Sequence, residues 1–127
     1  MKNFLSILIV DDDQIHNFIT AKVISSYTKN CRIKVALNGE EALKVLKDDP
    51  DFDIIFLDIN MPIMDGYDFL KNLGKSPIVL KEDSKVVILS STSQPQEILK
   101  FSQFKIDGFI DKPITPQTIK EVVAVAV

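Results

Sequence analysis

The chain is short of the residues on which metal, redox and disulfide chemistry usually depend. Cys31 is the only cysteine, so an intrachain disulfide and a cysteine-based zinc site are excluded. It reads as a small hydrophobe, in a reducing and cytoplasmic setting. His16 is the only histidine, one turn past an acidic cluster, and reads as a surface or packing residue rather than a ligand or a phosphodonor. Basic charge is scarce as well. The 15 Lys and Arg against 18 Asp and Glu leave a net charge of −3, without the concentrated basic stripe of a nucleic-acid surface. No apolar run approaches the roughly 18–20 residues of a membrane span. The opening MKNFLSILIV has a short apolar stretch but no small-residue cleavage site, and it leads straight into Asp11-Asp12-Asp13, unlike a signal peptide. There is no internal repeat, low-complexity tract or linker, and 127 residues fit one domain, expected over 1–127.

What is present is an alternation of short apolar runs and helix-like segments. Residues 4–10 are apolar apart from Ser6 and read as a fully buried strand. A helix is expected over 13–27, with Ile15, Phe18, Ile19, Val23 and Ile24 near helical spacing. A short strand at 33–36 precedes a helix opened by Asn38 or Gly39 and stopped before Pro50. The third strand is 53–57, followed by a helix over 66–73 with Gly74 as its stop. Strands at 85–89 and 108–110 flank a helix over 96–104, and a last helix starts at Thr115. Residues 75–85, with Pro77 and the mixed run Ile78-Val79-Leu80-Lys81-Glu82, suggest an irregular connection whose apolar part packs inward. Unbroken apolar strands imply that both faces of the sheet are covered. The expected fold is α/β, a doubly wound five-stranded parallel sheet of order 2-1-3-4-5 with five helices.

Ligands in open sheets of this kind bind beyond the carboxyl ends of the strands. The first strand ends at Asp11-Asp12, the third at Asp58, the fourth at Ser90-Ser91 and the fifth at Asp111-Lys112. Three carboxylates then share one crevice. At about 4 Å two like charges repel by roughly 4 kcal/mol at an effective dielectric near 20, so positive charge must offset them. A hard divalent cation with oxygen ligands, Mg²⁺ above all, is the natural candidate, and Lys112 supplies a further positive charge. Such a site suits phosphoryl transfer, where catalysis is mostly positioning and electrostatic stabilisation. Asp58 is the expected nucleophile, able to carry a phosphoryl group as an acyl phosphate without a general base. Asp12, and Asp11 partly through water, are expected to hold the metal. Metal, Lys112 and the Ser90 hydroxyl then each approach a different phosphoryl oxygen.

The segments LIVDDD, FLDINMPIMDG, ILSST and FIDKPI, in that order on four strands, resemble the receiver domain of two-component response regulators. The closest likeness is to compact chemotaxis-type single-domain regulators, and it runs essentially end to end. The resemblance implies a flavodoxin-like receiver fold. It makes Asp11 and Asp12 the acidic pair, Asp58 the phosphoacceptor and third metal ligand, and the backbone carbonyl of Asn60 a further ligand to Mg²⁺ or Mn²⁺. It makes Ser90 the hydroxyl residue that follows the phosphoryl group, Phe109 the rotating aromatic and Lys112 the lysine of the site, with a cis bond before Pro113. It implies a sensor histidine kinase or histidine phosphotransfer protein as donor and a downstream protein target, with no nucleic acid or membrane involved. The surface of the fourth helix, fifth strand and fifth helix would change on phosphorylation. The implied role is a switch rather than an enzyme, limited to autocatalytic phosphoryl transfer and autodephosphorylation, the latter tuned by Asn60 and Thr92. The chain departs from the commoner pattern in having Ser90 for threonine and Phe109 for tyrosine.

Plainer readings stand beside these. Asp13 is expected as a helix N-cap, Asn60-Met61-Pro62 is also turn chemistry, and Lys112 alone would pass for a surface lysine. Ser91, Thr92 and Ser93 compete with Ser90 in the same loop. The run 122–127 is a poor isolated helix that needs packing or a partner. A phosphatase with an aspartyl nucleophile fits poorly, because Asn60 stands where a second catalytic carboxylate is usual and there is no room for a cap insertion. A flavodoxin-like cofactor module would need a Gly- or Ser/Thr-rich phosphate loop where three aspartates stand. An unphosphorylated scaffold would not need the full site. The alternative reading is the receiver portion of a longer regulator or hybrid kinase.

Overall fold

The computed structural model describes residues 4–91 and 95–126. In chain order the elements are β1 (Leu5–Val10), α1 (Gln14–Tyr27), β2 (Cys31–Ala36), α2 (Gly39–Asp48), β3 (Ile54–Asp58), α3 (Gly66–Lys75), β4 (Lys85–Ser90), α4 (Pro95–Lys100), β5 (Gly108–Asp111) and α5 (Pro116–Ala126). The strands pair in parallel in the order β2-β1-β3-β4-β5, the doubly wound arrangement expected. A parallel pair needs a long crossover, and in this chain helices supply them.

Period-two alternation along the strands splits the core in two. Leu8, Val10, Ile55, Leu57, Val86 and Ile88 face one layer with Leu46, Phe69 and Phe101. Ile7, Ile9, Ile54, Phe56, Val87 and Leu89 face the other, with Ile24, Ile114, Ile119 and Val123. Each large apolar side chain so buried contributes about 1.5–3 kcal/mol relative to exposure. In the apolar tail, Val123 is buried in the second layer and Val122 packs against it.

Some boundaries differ from expectation. β2 opens at Cys31 rather than Ile33, because its ladder with β1 already pairs Leu5 with Cys31. α3 runs through Gly74 to Lys75; its stop is Ser76, whose N–H and hydroxyl both donate to the Leu73 carbonyl, followed by Pro77. α4 ends at Lys100 rather than Phe104. Beyond it the N–H groups of Phe101, Ser102 and Phe104 reach back three residues to Ile98, Leu99 and Phe101, a tighter winding that accompanies burial of the Phe101 ring. The connection 76–84 is irregular, with Ile78 and Leu80 packed on the first core layer.

The largest departure is in α1. Ile15 and Phe18 are 76% and 64% exposed, and Ile19 is exposed too, while His16, Asn17, Thr20 and Ile24 are buried. Of the five apolar residues at helical spacing, Ile15, Phe18 and Ile19 face outward, and only Val23 and Ile24 pack on the core.

Candidate functional site

The site forms where β1, β3, β4 and β5 end. At the end of β1, Asp11 donates its N–H to the Ala36 carbonyl, which fixes the backbone as it leaves the sheet. Asp13 then caps α1, its side chain accepting the His16 N–H at 3.1 Å. That bond holds the Asp13 carboxyl below its ordinary range. Asp11 itself is fully buried. Its Oδ1 accepts the Asp13 N–H at 3.0 Å, its Oδ2 accepts from His16 Nδ1 at 2.8 Å, and its carbonyl accepts from Asn17 Nδ2 at 2.8 Å.

Asp58 ends β3, and carboxylate oxygens of Asp11, Asp12 and Asp58 lie within 4.8 Å of one another. Asp11 and Asp58 are buried and Asp12 is exposed. Lys112, just past β5, puts Nζ 3.0 Å from Asp11 Oδ2 and 3.3 Å from Asp58 Oδ1. Burial, followed by the charge of Asp11, raises the Asp58 carboxyl to about 6 although Lys112 pulls the other way. Burial alone would lower the Lys112 ammonium, but its hydrogen bond to Asp11 and the charges of Asp58 and Asp11 outweigh this, so it holds its proton more firmly than usual.

Two glycines shape the loop between β3 and α3. A Cβ on Gly66 would meet the Asp58 carbonyl oxygen at 2.5 Å, and one on Gly39 would meet Met64 Cγ at 2.7 Å. The Gly66 N–H donates to the Ile59 carbonyl and the Gly39 N–H to Met64, so close backbone approach ties the loop at both ends. Between them Ile63 adopts φ 68°, with the Met64 N–H donating to Pro62, a tight three-residue turn that is rare for a β-branched residue.

Asp11, Asp12, Asp58 and Lys112 therefore converge. Ser90 is buried at the end of β4, one position beyond Leu89, the register partner of Asp58, and its carbonyl accepts the Lys112 N–H at 2.9 Å. Asn60 lies exposed in the loop after β3. Phe109 is 41% exposed and packs edge-on to Phe101, away from the carboxylates along β5. The Lys112–Pro113 peptide bond is cis. Thr92, Ser93 and Gln94 fall outside the described residues. His16 and Asn17 are the residues missed by inspection of the sequence. The usable signal was direction: helical side chains lean toward the N-terminus, so residues in the first turn of α1 cover the end of β1.

Residues 7–124 match the description "Response regulator receiver domain". The chain belongs to the response regulator receiver family. It is similar to chemotaxis protein CheY-3 of Vibrio cholerae, at 34% identity over 117 residues, covering 92% of this chain and 87% of that protein. It is also similar to the two-component response regulator ARR11 of Arabidopsis thaliana (31% identical, 91% of this chain) and to the hybrid signal transduction histidine kinase L of Dictyostelium discoideum (34%, 92%). It spans only 21% of the former and 7% of the latter. Among solved structures, a two-component response regulator from Cytophaga hutchinsonii superposes with a TM-score of 0.86 at 25% identity, over 97% of each chain.

This receiver domain is thus a signalling module of two-component systems, a class that works with histidine kinases and phosphotransfer proteins. Receiver domains bind Mg²⁺ at an acidic pocket, and the donor set here fits: three carboxylates with hard oxygen atoms and, among the described residues, no sulfur or nitrogen ligand in the cluster. Among the described residues no helix is long and apolar enough to cross a membrane.

Proposed function

We propose that residues 1–127 act as one receiver domain that takes a phosphoryl group onto Asp58. The convergence of Asp11, Asp12 and Asp58 around a single shared lysine carries this reading. A carboxylate oxygen of Asp58 attacks the phosphorus of a phosphohistidine; the O–P bond forms as the N–P bond breaks, and the imidazole leaves. Lys112 binds one phosphoryl oxygen and the Ser90 hydroxyl donates to another. Asp11, Asp12, Asp58 and the Asn60 carbonyl would hold Mg²⁺ or Mn²⁺, which supplies the charge neutralisation that brings an anion to an acidic pocket. Water later hydrolyses the acyl phosphate at a rate tuned by Asn60 and Thr92, so the domain is a switch with slow self-catalysed chemistry rather than a turnover enzyme.

Movement of Ser90 toward the phosphoryl group, with inward rotation of Phe109, changes the surface of α4, β5 and α5 that a downstream protein reads. The donor is a sensor histidine kinase or histidine phosphotransfer protein in the cytoplasm. The exposed Ile15, Phe18 and Ile19, beside Asp12, offer it an apolar footing. Relatives include both compact regulators and long multidomain chains, so the domain serves alone or as the receiver part of a larger regulator or hybrid kinase.

Incubation with a labelled small-molecule phosphodonor and Mg²⁺ tests this. Label should enter the parent, fall to background with chelator, and be absent from Asp58→Asn. Equal labelling of Asp58→Asn refutes the assignment.

A further inference from the structure

The inverted burial of α1 has a common target. His16, Asn17 and Thr20 are buried while Ile15 and Phe18 face outward, and His16 Nε2, Asn17 Oδ1 and Thr20 Oγ1 have no hydrogen-bonding partner among the described residues. Such an arrangement is poor for stability, and breaches of local patterning gather where function demands them. The partners the stripe does have lead to Asp11: Asn17 donates to its carbonyl and His16 to its carboxylate.

A carboxylate oxygen only accepts, so Nδ1 of His16 carries the proton in the 2.8 Å contact with Asp11 Oδ2. The same oxygen receives Lys112 Nζ at 3.0 Å, and Lys112 also reaches Asp58 Oδ1 at 3.3 Å. One ammonium is divided between two carboxylates, and what fixes the position of Asp11 decides how it is divided.

We propose that His16 is a positioning residue for phosphoryl transfer: its Nδ1–H pins Asp11 Oδ2 so that Lys112 stays within reach of Asp58. Without that donor the Asp11 side chain is held only at Oδ1, by the Asp13 N–H at 3.0 Å, and Oδ2 can swing toward Lys112 and draw it from Asp58. Groups that orient a ligand from behind are commonly worth about 10–100-fold in metal affinity or activity. The inference rests on Asp58 being the phosphoacceptor.

The test separates the two ring nitrogens. In His16→Asn an amide nitrogen takes the place of Nδ1; in His16→Gln it takes the place of Nε2 and nothing donates to Asp11. With a small-molecule phosphodonor and Mg²⁺, His16→Asn should label within about twofold of the parent and His16→Gln about tenfold more slowly. The unfolding midpoints of the two variants in chelator should be alike, and the apparent Mg²⁺ affinity of His16→Gln, read from amide shifts, should fall. In the metal-free parent, long-range ¹H–¹⁵N spectra should show a proton on Nδ1. The proposal is overturned if His16→Gln labels at the parent rate, if His16→Asn is as slow as His16→Gln, or if Nδ1 carries no proton. A parent that takes no label on Asp58 refutes the phosphoacceptor reading instead.

Discussion

Gly66 lies so close to Asp58 that a methyl group on its Cα would come 2.5 Å from the Asp58 carbonyl oxygen. That oxygen is backbone, so relief requires moving either the start of α3 or the end of β3. Gly66→Ala should therefore destabilise the domain by about 1–3 kcal/mol, as overpacking does, and slow labelling of Asp58. Urea unfolding and the rate of label uptake check both parts; parent-like stability would mean the approach is looser than this.

The raised Asp58 carboxyl makes stability depend on pH. Between the ordinary 3.8 and about 6 the folded chain keeps a proton that the unfolded chain has lost. Stability of the metal-free protein then falls as pH rises through that window. Asp58→Asn removes the effect. It should be more stable than the parent by about 1–2 kcal/mol at pH 7.5, after allowance for solvent screening, with the gain vanishing near pH 4. Thermal unfolding in chelator at several pH values tests it, and a gain that persists at pH 4 contradicts it. Mg²⁺ should narrow the difference at neutral pH, since it binds the ionised parent pocket best.

Removing Lys112 leaves Asp11 and Asp58 without their shared counter-charge. Lys112→Gln should lower metal-free stability by about 1–3 kcal/mol, tighten Mg²⁺ binding and slow labelling. Tighter binding alongside slower transfer separates a phosphoryl-binding lysine from one that only neutralises. Weaker Mg²⁺ binding would speak against the charge balance described.

Ile63 carries φ 68° while 79% exposed, so its side chain gains little from burial and bears the strain of the turn. Ile63→Gly should relieve about 1–3 kcal/mol of strain against a glycine cost of about 0.5–1 kcal/mol, a net gain visible as a higher unfolding midpoint. A lower midpoint would show that Ile63 is held by more than its backbone.

The sheet was legible because Leu8, Ile9, Ile55 and Leu57 are buried whichever face they take, so uninterrupted apolar runs suffice to mark parallel strands. Asp11, Asp12, Asp58 and Lys112 were legible because each stands within two residues of the end of an apolar run. The face of α1 was not. Ile15, Phe18 and Ile19 have the spacing of a core stripe, yet the helix is rotated by the demands of Asp11, which His16 and Asn17 meet from the buried side. Periodicity reports which side chains share a face, never which face is turned inward. The end of α3 was misread for a related reason: Gly74 is exposed, and the stop depends on the Ser76 hydroxyl and Pro77, whose effect follows from hydrogen bonding rather than propensity.

The identity of the modified side chain is the decisive measurement. After treatment with a phosphodonor and Mg²⁺, borohydride reduction converts an aspartyl phosphate to homoserine, which peptide sequencing by mass spectrometry locates. Homoserine at position 58 and nowhere else is the expected result; modification confined to another residue, or none in a protein shown to bind Mg²⁺, would contradict the role assigned to Asp58.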